Sequence, residues 1–302
     1  MNISLRQLKV FQAVALLRNF SRAGARIGLS QPAVSRCIRD MEDELGLRLL
    51  DRTTREVELT EAGFKLSGAL ERLIDDLESV LLETRSSGEQ HRGKVRVASA
   101  PTLSAGLMPE YISVSARRFP GITLVMRDQS QRLVLDSVRG GEVDFGLAID
   151  PQEGGDLHVE QLMVDPFRLV CRADHPLARR ATVPLSALDG EKLVLLDYSS
   201  GSRPLIDQAL ADARVRCEVV QEAGHLSTAF RMVEVGIGLS IVPALFLPTE
   251  QSGLVSRPLR PQILRNILLV RRRNRSLSPA AEAVWRLMVE LAPSASKAVP
   301  AR

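Results

Sequence analysis

Apolar positions along this chain follow two rhythms, and the change between them divides it. Up to about residue 85 the spacing is helical. Leu5, Leu8, Phe11, Val14 and Ala15 form one stripe, and Val34, Ile38, Met41 and Leu45 another. Ser4, with Gln7 three residues on, predicts a capping box that opens the first helix. Ser21 is read as the cap of a second, short helix that Gly28 ends. Ser30 is read as the cap of a third, with Pro32 in its first turn and Gly46 as its stop. On that third helix Pro32, Ser35, Arg36 and Arg39 fall opposite the apolar stripe. Leu47 to Leu59 alternates like strand around Arg52, Thr53, Thr54 and Arg55, the shape of a short wing.

From Thr60 to about Ser86 the helical rhythm returns. Leu59, Gly63, Leu66, Leu70, Leu73, Leu77 and Val80 follow one another in alternating steps of four and three, a heptad seam. Charged residues on the other faces (Glu61, Lys65, Glu71, Arg72, Asp75, Asp76, Glu78) favour dimerisation through Leu59, Leu66, Leu70, Leu73, Leu77 and Val80. The alternative is a helix packed on its own domain, which shows the same stripe. Ser86 to Gly93 is a linker.

Beyond it, short apolar runs alternate with helical segments. The runs are Val95–Ala98, Ile122–Arg127, Asp144–Ile149, Phe167–Arg172, Leu193–Asp197, Val215–Gln221, Leu239–Val242 and Ile267–Val270, and a helix from Ser278 to Ala292 closes the series. Strands separated by helices predict parallel α/β sheets. Some two hundred residues of this pattern exceed one small sheet and suggest two lobes with a cleft.

Charge sharpens the division. The 302 residues carry a net charge of only +4, unevenly spread. Residues 1–39 hold Arg6, Lys9, Arg18, Arg22, Arg26, Arg36 and Arg39 and no acid, whereas residues 40–92 hold seven bases against fourteen acids. One end is suited to a polyanion; the whole molecule is not. Cys37, Cys171 and Cys217 lie far apart with no CxxC spacing, so neither a disulfide framework nor a zinc site is expected. They read as small core residues, with a Cys171–Cys217 redox switch as the alternative. Four scattered histidines form no ligand cluster. Arg6 and Lys9 interrupt any signal peptide. Ile237 to Leu247, the most apolar stretch, is about half a membrane span and contains Pro243. A cytoplasmic protein is expected.

The segments LRQLKVFQAV, NFSRAGARIGLSQPAVSRCIRDMEDELGLRLLDR and VELTEAG closely resemble the winged helix-turn-helix of LysR-type transcriptional regulators. PTLSAGLMPEYI, FPGI, GGEVDFGLA, HPLA and GIGLSIVP extend the resemblance over nearly the whole chain. Gly24 stands where alanine is usual, Cys37 where a polar residue is common and Leu50 where phenylalanine packs the wing; Gly24 should loosen the second helix by about 1 kcal/mol.

The resemblance implies an N-terminal all-α winged helix-turn-helix (1–59), a dimerisation helix and hinge (60–92), and an α/β effector domain (93–302). The last has the two-lobed fold of type II periplasmic binding proteins: lobe I about 93–162 with 268–302, and lobe II about 163–267. The N-terminal part of a recognition helix enters the major groove. That makes Gln31, Pro32, Ala33, Ser35, Arg36 and Arg39 candidate base readers, with Ser21, Arg22 and Ser30 on phosphates and Arg52, Thr53, Thr54 and Arg55 on the backbone or minor groove. Each arginine alone could be an ordinary solvated charge.

The effector is implied to lie in the cleft. Ser99 and Thr102 follow a strand and open a helix, and Ala148 and Ile149 end another strand. The loop with Ser199, Ser200, Gly201 and Arg203 feeds a helix, and His225 and Thr228 open the next. Helix starts and hydroxyls of this kind suit a small organic anion, although each is also an ordinary cap or turn. Arg271 to Arg275 reads as a solvated turn rather than a nucleic-acid patch.

The expected protein is therefore no enzyme, with no cofactor and no metal. Its partners are double-stranded DNA carrying an inverted repeat, a small-molecule effector, further copies of itself as dimer or tetramer, and RNA polymerase where the resemblance extends that far; no membrane is involved. Two rivals are an enzyme built on a two-lobed binding fold and an architectural DNA-binding protein without a ligand. The first lacks any paired carboxylates or Ser-His-Asp constellation, and the second leaves the α/β part unexplained.

Overall fold

The computed structural model describes residues 3–52, 57–85, 92–151, 155–247 and 253–292. The chain forms two compact units, residues 1–89 and 90–302.

In the first unit, α1 (Leu5–Leu17) opens on the expected capping box. Ser4 Oγ accepts the Gln7 amide at 3.3 Å, and the Gln7 side chain accepts the Ser4 amide at 2.8 Å. Helix α2 (Phe20–Ile27) begins earlier than predicted. Asn19 adopts the extended cap conformation and its Oδ1 accepts the Arg22 amide at 2.9 Å. An Asn cap is as good as Ser, so the first residue able to reach the free amides takes the role. Ser21 is thereby left on the exposed first turn.

Helix α3 (Gln31–Leu45) starts after Ser30, which occupies the cap position without a side-chain bond, and ends at Gly46 with φ of 67°. Val34, Ile38 and Met41 are fully buried against Phe11 and Val14. Gly24 has a use the sequence hides: a Cβ there would stand 2.5 Å from the Leu29 carbonyl oxygen. It permits a close approach between α2 and the turn into α3, so it is not simply a weakened alanine.

A two-stranded wing, β1 (Leu50–Arg52) antiparallel to β2 (Val57–Leu59), leads to α4 (Glu61–Arg85). Here the heptad stripe splits. Leu59 and Leu66 pack against the unit's own core, and Leu70, 2 % exposed, is part of it. Leu73 and Leu77 remain 57 % and 39 % exposed. The first turns of α4 thus follow the own-domain alternative, because the small three-helix core needs a lid. The Val80 side chain lies outside the described residues.

The second unit packs a main core in each lobe, with smaller apolar clusters beside them. In lobe I, β3 (Gly93–Ser99) pairs in parallel with β4 (Ile122–Asp128) and β5 (Phe145–Ile149). These strands are flanked by α5 (Pro101–Gly106), α6 (Met108–Arg118), α7 (Gln131–Arg139) and the closing α10 (Pro279–Leu291). Phe145 meets Trp285 edge-on at 5.3 Å in its core. Lobe II carries β7 (Val183–Pro184), β8 (Lys192–Leu196), α8 (Arg203–Asp212), β9 (Glu218–Ala223), α9 (Leu226–Glu234), β10 (Ser240–Pro243) and β11 (Leu254–Arg260) around Phe167, Leu193 and Ile241.

Two strands cross between the lobes: the 16-residue β6 (Leu157–Arg172) and the returning β12 (Leu264–Arg272). The expectation of parallel sheets therefore holds only in part. β12 runs antiparallel to β5 and β6, and β10 and β11 run antiparallel to β6. A chain that crosses to a second lobe and comes back lays its return strand against its outward one.

Candidate functional site

The exposed face of α3 gathers the predicted base readers. Gln31, Pro32, Ala33, Arg36 and Arg39 are exposed and Ser35 is half-buried, while Val34 and Ile38 anchor the opposite face. Ser21, Arg22 and Ser30 are exposed beside them. No acid interrupts this surface before Asp40. Arg39 stands where the acids begin, on a groove it shares with Glu42 and Asp43, so the acid-free part of this face is Gln31 to Arg36. The Arg52 side chain and residues Thr53, Thr54 and Arg55 lie outside the described residues.

Between lobes I and II lies a cavity of about 190 Å3. Thr102, Ser199, Ser200 and His225 line it as the sequence predicts, joined by Pro101, Asp128, Leu196, Leu226, Ser227 and Phe246, which the sequence did not mark. Ser99, Ala148 and Ile149 are buried behind the wall, and Thr228 is exposed outside it.

Arg203 does not serve the cavity. It is 4 % exposed; its Nε donates to Asp207 at 2.9 Å, and its Nη1 donates to the Leu196 carbonyl and to Glu222, both at 2.9 Å. Its guanidinium also stacks on Tyr198. As the first residue of α8 it turns back onto its own sheet, where two carboxylates answer its charge.

The cation at the lobe junction is Arg265, fully buried on β12. Its Nε donates to Asp165 Oδ2 at 2.9 Å, and its Nη1 donates both to Thr102 Oγ1 of lobe I at 3.0 Å and to Ser202 Oγ of lobe II at 3.1 Å. Asp165 also accepts the Leu245 amide at 3.1 Å. Burial pushes the Asp165 carboxyl up and the Arg265 guanidinium down, and each opposes that drift in the other. A sequence signal existed: alternation on β12 puts Arg265 on the inward face with Ile267 and Leu269, an arginine where an apolar residue belongs.

The lobes also touch at α7. Gln131 Nε2 donates to the Ile149 carbonyl at 2.6 Å and its Oε1 accepts the Ile149 amide at 2.9 Å, while the Gln131 amide donates to the Ser199 carbonyl at 3.3 Å. Gly201 packs directly on that side chain, and a Cβ there would overlap the Gln131 amide group. Gly201→Ala is therefore expected to part the lobes or break the Gln131–Ile149 pair. Breaking the pair speeds hydrogen exchange at the Ile149 amide by about tenfold, the equivalent of an overpacking cost near 1.4 kcal/mol. Parting the lobes instead frees the Gln131 amide from the Ser199 carbonyl and speeds its exchange. Unchanged exchange at both amides would remove Gly201 from the junction.

Cys171 and Cys217 sit where the protonated thiol is favoured. Cys171 is buried and its thiol pushed up by that burial. Cys217 donates to the Leu188 carbonyl and is pushed up to about 11, chiefly by burial and then by Asp189 and Glu191. Among the described residues no group of three or more His, Cys, Asp or Glu could hold a metal ion, and no helix is long and apolar enough to cross a membrane.

Residues 5–64 match the family described as bacterial regulatory helix-turn-helix protein, lysR family, and residues 88–293 match the LysR substrate binding domain. The chain belongs to the LysR family of transcriptional regulators. An HTH-type transcriptional regulator of Shigella flexneri, YfeR, is 54 % identical over 94 % of this chain and 93 % of that protein. The hydrogen peroxide-inducible genes activator of Pectobacterium carotovorum is 31 % identical over 89 % and 90 %. The LysR-type regulator CbnR, solved at full length with its target DNA, superposes with a TM-score of 0.71 over 97 % of this chain and all of that one; at 20 % identity this likeness speaks for the fold. The LysR-type architecture seen here is thus a DNA-binding helix-turn-helix followed by a substrate-binding α/β domain.

Proposed function

We propose that this LysR-type regulator reads an inverted-repeat operator in double-stranded DNA through α3, and that a small molecule in the cavity between lobes I and II sets its activity. The observation that carries the reading is the exposed, acid-free start of α3, with Gln31 and Arg36 able to reach base edges and Pro32 and Ala33 able to meet thymine methyls. Ser21, Arg22 and Ser30 would hold phosphates. Two copies at fixed spacing would make a selective reader of a two-fold site. The exposed Leu73 and Leu77 are the positions of the described α4 seam left to join them. A tetramer, contact with RNA polymerase and a cytoplasmic location follow as further parts of the same proposal, and no reaction is assigned to the cavity.

The name of the peroxide-inducible relative suggests a redox trigger. The buried Cys171 and the raised Cys217 thiol speak against that trigger.

Arg36→Ala tests the reading head. Its operator affinity is expected to fall by about 1–3 kcal/mol with relaxed base preference, measured by footprinting on the wild-type site and single-base variants. The same footprint and affinity from a folded variant would take Arg36 out of the interface.

A further inference from the structure

We infer that the cavity is built for a small zwitterion of the amino-acid class, whose ammonium group is held by Asp128. The inference rests on the cavity being the effector site and concerns what that site selects.

The charges at the wall set the first requirement. Lobe I contributes Asp128, at the end of β4, and among the described residues no lysine or arginine lines the cavity, His225 being its one basic side chain. Behind the lobe II wall stands Asp197. Its Oδ1 accepts both the amide and the hydroxyl of Ser199, and its Oδ2 lies 3.6 Å from where a Cβ on Gly224 would be. Ser199 and Gly224 both line the cavity.

The nearby guanidiniums do not answer these acids. Arg265 is paired with Asp165, and Arg203 carries both Asp207 and Glu222. A simple organic anion would therefore meet like charge with no lysine or arginine at the described wall to offset it, whereas an ammonium group would find a carboxylate.

Hydroxyl polarity sets the second requirement. Thr102 Oγ1 already accepts from Arg265, and Ser200 Oγ accepts the Ser202 amide at 3.2 Å. Each hydroxyl oxygen has an N–H donor aimed at it, so the proton of each is turned toward an acceptor elsewhere. An amine without an acceptor would leave these donors idle, and a carboxylate satisfies them.

Size and apolar wall complete the description. The cavity, of about 190 Å3, suits a small organic molecule. Leu196, Leu226 and Phe246 form a surface for a short apolar side chain.

The test uses the full-length protein and thermal-shift titration with three probe sets. These are the protein amino acids one at a time, their 2-oxo acid counterparts lacking the ammonium group, and their decarboxylated amines. The expected result is stabilisation by one or a few amino acids and none by the matching 2-oxo acids or amines. Asp128→Asn should weaken that binding by about tenfold or more while leaving the ligand-free melting curve in place. Asp128→Lys should abolish it.

Stabilisation by 2-oxo or other simple carboxylic acids, retained or strengthened in Asp128→Asn and Asp128→Lys, would overturn the zwitterion while leaving the effector cavity intact. Silence of all three sets, together with silence toward neutral sugars and nucleosides, would overturn the effector reading and this inference with it.

Discussion

Asp165→Ala is expected to destabilise the second unit by about 3–5 kcal/mol, because it leaves the Arg265 guanidinium buried without its counter-ion. The pair sits in register on β6 and β12, with Arg265 fully buried, so water cannot easily replace the lost carboxylate. Asp165→Asn keeps an acceptor for Arg265 but not the charge, and should fall between wild type and Ala. Replacing both residues, Asp165→Leu with Arg265→Met, removes the stranded charge together with its partner. That variant should recover most of the loss, short of wild type because Thr102 and Ser202 lose their shared donor.

Trp285 makes the measurement clean. It is the chain's one tryptophan and lies in the lobe I core, so its fluorescence follows unfolding of the second unit alone. An Asp165→Ala variant with an unchanged Trp285 transition would mean that the pair contributes nothing to holding the lobes. The hydrogen bonds from Arg265 to Thr102 and Ser202 would then not be what holds the lobes together.

What could be read from the sequence was what is decided within a few residues. Ser4 and Gln7, Gly28, Gly46 and the two faces of α3 are set by contacts three or four positions apart, and they stand as the pattern predicts. The cap of α2 is local too, but Asn19 and Ser21 are both competent and only the path of the chain out of α1 chooses between them. The stripe on α4 shows which side is apolar and not what covers it. Its early turns close their own domain, and only Leu73 and Leu77 of the described seam stay exposed.

The cavity was half legible. Thr102, Ser199, Ser200 and His225 follow strand ends, where loops bearing hydroxyls line a cleft. Arg203 was misplaced because its answering acids, Asp207 and Glu222, lie on its own helix and on β9. Arg265 went unseen because its partner is 100 residues away, brought opposite it only by the crossing of the two lobes.

Gly63→Ala is the other large effect, and it falls on the first unit. Gly63 stands in the first turn of α4, where a Cβ would overlap the Leu49 carbonyl oxygen, lie 3.0 Å from its carbon and crowd Leu59 Cδ2 at 3.2 Å. Neither side can give way cheaply. The Leu49 and Leu50 amides donate to Glu42 Oε1 at 2.8 and 3.1 Å, and the Thr60 amide donates to the Leu49 carbonyl at 3.1 Å. Thr60 Oγ1 in turn donates to the Arg48 carbonyl at 2.8 Å and accepts the Gly63 amide at 3.0 Å. Backing α4 away would withdraw Leu66 and Leu70 from the core.

Two effects of opposite sign meet at this residue. Alanine gains about 1 kcal/mol over glycine in a helix, while a forced main-chain overlap costs about 3 kcal/mol. The overlap wins, so the variant should lose operator binding through a destabilised first unit while the Trp285 transition stays in place. Gly68, on the same helix, has nothing within 4 Å of its would-be Cβ, so Gly68→Ala feels only the propensity term and should stabilise the unit by up to about 1 kcal/mol. Hydrogen exchange of α1 and α3 amides reads both variants. Equal protection in the two would mean that the wing and α4 do not meet at Gly63 as closely as described.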